Sequence, residues 1–183
     1  GMEQGIDLYE NTPLPIEPAE VDCVLLTHAH IDHSGKIPLL SARGFNGKIY
    51  ATEATRQLCG IMLLDSAHIQ EQEAKWKTRK SLRSGGDEIL PMYTIQEAEE
   101  SLKQFRGCSY NSRYDIYDGI SVRFIDAGHL LGSSSIEITI CEGDQKRVLL
   151  FSGDVGNIDR PLIRDPQKPE NADIVIIEST YGT

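Results

Sequence analysis

The chain has 183 residues, 39% of them apolar, and a formal net charge of −10. That length suits one domain with a substantial core. The acidic balance weighs against a protein built chiefly to grip nucleic acid nonspecifically, because such binding relies on Lys and Arg. No apolar stretch reaches the roughly 18 residues a membrane span needs, and no basic-then-apolar leader opens the sequence, so a cytoplasmic protein is expected. Cysteines at positions 23, 59, 108 and 141 lack any Cys-x-x-Cys spacing and read as reduced thiols.

In chain order, Val21 to Leu26 is predicted to be a buried strand. It runs into Thr27-His28-Ala29-His30-Ile31-Asp32-His33-Ser34-Gly35, which gathers three of the five histidines and a carboxylate within six positions. Imidazole nitrogen and carboxylate oxygen are the usual ligands of a catalytic zinc ion, so the stretch reads as a metal loop. His28 and His30 can serve one ion while Asp32 and His33 turn to a second, roughly 3.5–4 Å away. The alternatives are a histidine-rich surface loop or a single structural ion.

Lys36 to Arg43 is predicted as a short helix ended by Gly44, and Lys48 to Ala51 as a strand. A long helix follows from Thr52 or Glu53 to about Leu82. Leu58, Ile61, Met62 and Ile69 recur at helical spacing and form its expected core face. His68 in this helix has no companion motif and is expected either at the surface or supporting a site from behind its ligands. Arg79, Lys80 and Arg83 form a basic cluster before the flexible break Ser84-Gly85-Gly86; it can touch phosphates or serve as a solvated helix end favoured by the dipole. Gln96 to Phe105 reads as a further helix.

Beyond Tyr114 the texture changes to strands. Val122 to His129 brings a fourth histidine to a strand end, with Gly128 and Gly132 permitting tight backbone, and His129 is the expected third ligand of the first ion. Ile136 to Ile140 alternates strictly. Val148 to Phe151 and Ile174 to Ile177 are continuous apolar runs suited to burial on both faces. Ser152-Gly153-Asp154 supplies an aspartate whose two oxygens can bridge two cations.

Taken together, His28, His30, Asp32, His33, His129 and Asp154 resemble, in order and spacing, the ligand set of the metallo-β-lactamase-fold hydrolases. Ile177-Glu178-Ser179-Thr180-Tyr181-Gly182 looks like the first motif of the β-CASP branch, whose members are RNA-processing nucleases. The opening Gly1-Met2-Glu3-Gln4-Gly5 is similar to a segment after an early strand in those enzymes. The resemblance implies an α/β fold of the αββα sandwich type, with residues 1–183 as the N-terminal portion and a β-CASP region expected beyond it. It also implies two Zn²⁺ ions, with Mn²⁺ as an alternative, and hydrolysis of single-stranded RNA by a metal-generated hydroxide. Asp32 and Asp154 would take part in catalysis, and Glu178 would orient a histidine from outside this chain. A metallo-hydrolase of small esters, thioesters or lactams is the runner-up; the Glu-Ser-Thr-Tyr-Gly motif argues against it. A noncatalytic scaffold of the same fold is the reading from a different class.

Overall fold

The structure is a computed structural model that describes residues 16–180. The opening glycine- and glutamine-containing segment and the last three residues of the chain lie outside the described residues.

Its elements run β1 (Cys23–Leu25), α1 (Ile31–Ser34), α2 (Ile37–Ala42), β2 (Lys48–Thr52), α3 (Glu53–Arg83), α4 (Ile95–Leu102), β3 (Phe105–Cys108), β4 (Arg113–Tyr117), β5 (Ile120–Asp126), β6 (Ser134–Glu142), β7 (Gln145–Phe151) and β8 (Ile174–Ile176). One sheet has three strands in the order β1-β2-β3, and the other has five in the order β4-β5-β6-β7-β8. β4 to β7 pair antiparallel as a meander, while β8 joins β7 in parallel after the long excursion that carries Asp154. By compactness the chain divides into two units. Of the described residues, one holds 16–24 with His30–Ile49 and Gln57–Phe105; the other holds Leu25–Ala29, Tyr50–Arg56 and 106–180.

In the first unit the core forms around Leu39, Ala67, Tyr93 and Ala98, with Leu64, Met92 and Ile95 against them. The long helix runs as expected, but its buried stripe does not. Thr55, Cys59, Leu63 and Ala67, stepping by four, are fully buried, whereas Ile61 is 70% and Ile69 49% exposed. Three of these four, Thr55, Cys59 and Ala67, are small side chains that apolarity alone does not mark as buried. His68 is exposed, as expected. Thr94 and Glu97 close α4 with a reciprocal capping box, each satisfying a backbone N–H of the other. That helix stops at Leu102, and Phe105, expected to be helical, instead opens β3 as a buried strand residue.

In the second unit Cys108, Val122, Phe124 and Ile136 form the core, with Leu25, Tyr50, Tyr110 and Ile138 around it. Across the β5–β6 ladder Arg123 opposes Glu137 and donates to both of its oxygens, at 3.1 and 2.7 Å. Such a fork is more directional than a point-charge pair. The apolar run at the chain's end departs from expectation. Ile174, Val175 and Ile176 are 53%, 54% and 43% exposed, so among the described residues β8 is an edge strand exposed on both faces and not a strand buried on both sides. No disulfide joins the four cysteines, and no helix among the described residues is long and apolar enough to cross a membrane.

Candidate metal centre

Three of the expected donors meet inside the second unit. β1 ends at Leu25, and the chain leaves it through Leu26, whose N–H donates to Tyr50 O at 2.9 Å. His28 follows, completely buried. Its Nδ1 lies 3.1 Å from the Thr27 hydroxyl, which turns Nε2 toward the Asp154 carboxylate at 3.7 Å. From the end of β5, His129 presents Nε2 to the same carboxylate oxygen at 3.5 Å, and the two imidazoles meet edge to face with centroids 5.1 Å apart.

These separations exceed a good N–H···O hydrogen bond of about 2.7–3.2 Å. They match the edges of a tetrahedron around a shared ion, roughly 3.4 Å for ligand bonds of about 2.1 Å. The donor atoms of His28, His129 and Asp154 all lie within 4.8 Å of one another. Two imidazoles and a carboxylate so disposed fit a metal cation.

Hydroxyls and glycines hold this geometry. The Ser133 Oγ accepts both the His129 N–H at 3.0 Å and the Leu130 N–H at 3.1 Å, so the backbone carrying the imidazole is fixed at two points. One residue earlier, Asp126 Oδ1 accepts the Gly128 N–H at 3.0 Å and sets the turn. Gly132 has φ +86°, and its carbonyl accepts the hydroxyls of Thr52 and Thr55 at 2.6 and 2.8 Å. A Cβ there would meet the Thr55 backbone nitrogen at 2.6 Å, which only glycine avoids. Gly153, at φ +57°, sits against Thr27 and the Ser134 carbonyl, where a Cβ would come within 2.9 and 3.0 Å. Close approach at that point brings Asp154 beside His28. The Ser134 N–H and hydroxyl both donate to Thr27 O, at 2.9 and 3.0 Å, and tie the start of β6 to the histidine loop.

Glu178 reaches the same neighbourhood. Its N–H donates to the Ser152 hydroxyl at 3.0 Å, and its carboxylate accepts the Val155 N–H at 2.7 Å and the Thr180 hydroxyl at 2.8 Å. Through the Val155 N–H its carboxylate holds the backbone next to Asp154. Ser133, Asp126 and Thr27, which sequence reasoning gave no role, are the supports it missed. The Asp-x-Gly-His spacing at 126–129 was the only available signal, since a carboxylate two residues before a glycine commonly closes a turn.

The remaining predicted donors belong to the other unit. His30 stands at the start of α1, where its carbonyl accepts the N–H groups of His33 and Ser34 at 3.0 and 2.8 Å. Asp32 and His33 lie on that short helix, exposed, with His33 Nε2 3.4 Å from Asp32 Oδ2.

Two histidines at strand exits, joined by an aspartate from a later loop of a mixed α/β structure, form a group that could hold a metal ion. The description of the metallo-β-lactamase superfamily domain matches residues 6–150, and the chain belongs to that superfamily. Among its relatives, Ribonuclease TTHA0252 of Thermus thermophilus is 36% identical over the whole chain, which spans 37% of that protein. RNase aCSPSF2 of Saccharolobus solfataricus is 31% identical over 99% of the chain and 34% of its own length. Transcription termination factor FttA of Methanosarcina mazei is 30% identical over the whole chain and 26% of its own length. The chain thus spans between about a quarter and two-fifths of these curated relatives.

Proposed function

We propose that this chain carries the metal-binding part of a zinc-dependent ribonuclease that hydrolyses phosphodiester bonds of single-stranded RNA in the cytoplasm. The observation that carries the reading is the convergence of His28, His129 and Asp154 at ion-sharing distance. RNA as substrate is supported by the two relatives named as ribonucleases.

In this reading His28, His30 and His129 hold one ion, with Asp154 offering its second oxygen as a bridge. His28, His129 and Asp154 present two imidazoles and a carboxylate, and His30 would add a third imidazole to a donor set that a borderline-soft divalent cation prefers. His30 enters as the residue two positions beyond His28 in the same connection. Asp32 and His33 are assigned to a second ion, and Asp32 and Asp154 to the catalytic machinery. When bound, zinc supplies Lewis acidity and brings the pKa of water down to about 7. The chain's own work is positional. Thr27 fixes which imidazole nitrogen of His28 faces inward, Ser133 fixes the His129 backbone, and Glu178 holds the loop behind Asp154. Both units are assigned to one metallo-β-lactamase-like domain.

The test pairs metal analysis with cleavage of 5′-labelled single-stranded RNA, single-stranded DNA and a chromogenic lactam. Zinc content and zinc-dependent RNA cleavage, both lost in Asp154→Asn, are the expected result. Lactam hydrolysis without nuclease activity would overturn the choice of substrate.

A further inference from the structure

One face of the long helix is unlike the rest of this acidic chain. Between Lys75 and Arg83 stand five cations, Lys75, Lys77, Arg79, Lys80 and Arg83, and from Ala74 to Gly86 there is no carboxylate; the thirteen other basic residues share the chain with 28 acidic ones. Lys75 and Lys77 are partly neutralised by Glu71 and Glu73, each 3.7 Å away and one turn earlier. Arg79, Lys80 and Arg83 are exposed, and none of them pairs with a carboxylate among the described residues.

Trp76, the chain's single tryptophan, lies 58% exposed in the midst of these cations. Positions 76, 79, 80 and 83 fall at helical spacing on one face, and with Ser84 they line a groove of about 590 Å³. The Lys80 ammonium lies 5.5 Å from the indole centroid.

A helix dipole accounts for cations in the last turn. It does not account for a large aromatic ring left in water beside them, since burying such a ring is strongly favourable. A membrane-binding face would need a broad apolar band, and this groove has no aliphatic side chain in its lining. Cations flanking an exposed aromatic are the arrangement that tracks a phosphate backbone while a base stacks.

We propose that Trp76, Arg79, Lys80 and Arg83 form a docking face for single-stranded RNA, with one base on the indole and the adjacent phosphates on the three cations. The choice of RNA rests on the ribonuclease reading above; the surface itself rests on this helix face. It positions a strand and takes no part in bond cleavage.

The single indole makes the test site-specific. Oligoadenylate of twelve nucleotides is titrated into the protein in EDTA, and intrinsic emission is followed alongside the anisotropy of labelled RNA. Saturable quenching is expected, with a slope of about −2 in log affinity against log salt for three phosphate contacts on a single strand. Trp76→Leu should weaken binding roughly tenfold, the loss expected for one stacked base. The triple variant Arg79→Gln, Lys80→Gln, Arg83→Gln should remove the salt dependence, and circular dichroism at 222 nm should show the helix intact in both. Unchanged affinity in Trp76→Leu would overturn the proposal, as would an equal response to polyglutamate, to inorganic polyphosphate or to vesicles containing anionic lipid. Binding is read here without turnover, so RNA that docks on this face but is never cut sinks only the ribonuclease reading. RNA that is cut while Trp76→Leu binds normally sinks only this one.

Discussion

The Glu178 carboxylate accepts the Val155 backbone N–H at 2.7 Å, one residue beyond Asp154. A side chain 23 residues further along thereby pins the loop that delivers the shared carboxylate. Groups that orient ligands typically change metal affinity about 10–100-fold when removed. Glu178→Ala should therefore weaken zinc binding by about tenfold or more while leaving the donors in place. Competition titration against a chromogenic chelator measures this, and unchanged affinity would remove Glu178 from the site.

Removing a donor should act on metal and stability together. A metal held only by the folded chain stabilises it by mass action, so His28→Ala and Asp154→Ala should each lose zinc and lose the rise in melting temperature that zinc gives the parent. Elemental analysis and thermal melts with and without chelator check this. A variant that melts lower yet keeps its zinc would mark that residue as packing.

Gly132→Ala tests the support under His129. The substitution places a side chain at φ +86° and against the Thr55 backbone nitrogen, and a non-glycine residue so held costs about 1–3 kcal/mol. The melting midpoint should fall accordingly, and zinc affinity should fall with it because the Gly132 carbonyl anchors the loop through Thr52 and Thr55. Stability lost at constant zinc affinity would separate the loop from the centre.

Alkaline pH should act through buried thiols. Burial pushes the Cys59 thiol up to about 12, opposed by a hydrogen bond with Ser34, and burial pushes Cys108 up to about 11. An unfolded thiol titrates near 8.5, so the folded state favours the neutral form. That contribution is complete below about pH 8.5 and fades as pH rises toward the folded values. Melting temperature should decline from about pH 8.5 to 11, and less steeply in the Cys59→Ala, Cys108→Ala double variant. Exposed Cys141 should react with a thiol reagent well before either buried thiol.

The three donors that meet, His28, His129 and Asp154, were legible as candidates in the sequence because closely spaced histidines, and a histidine or aspartate at a strand exit, are rare arrangements with few other uses. Their supports were not. Ser133, Thr52 and Thr55 are ordinary residues whose hydroxyls acquire a role only when distant segments meet. The long helix was evident from its length and lack of breakers. Its buried stripe was misplaced because close approach selects the small residues Thr55, Cys59 and Ala67 over the isoleucines that hydrophobicity marks. In the same way the apolar run at 174–176 declared a strand without declaring whether either face is covered.

That last strand is where association between copies of the chain should begin in concentrated solution. Among the described residues β8 ends its sheet, so one of its edges offers backbone donors and acceptors to any extended peptide that arrives, and Ile174, Val175 and Ile176 give the newcomer an oily surface to settle on. The negative charge that disperses the molecules is long-ranged but weakened by salt, whereas strand addition is short-ranged and unaffected by it. Raising ionic strength should therefore turn well-separated particles into growing assemblies seeded at this edge, and a lysine at Val175 should keep them apart.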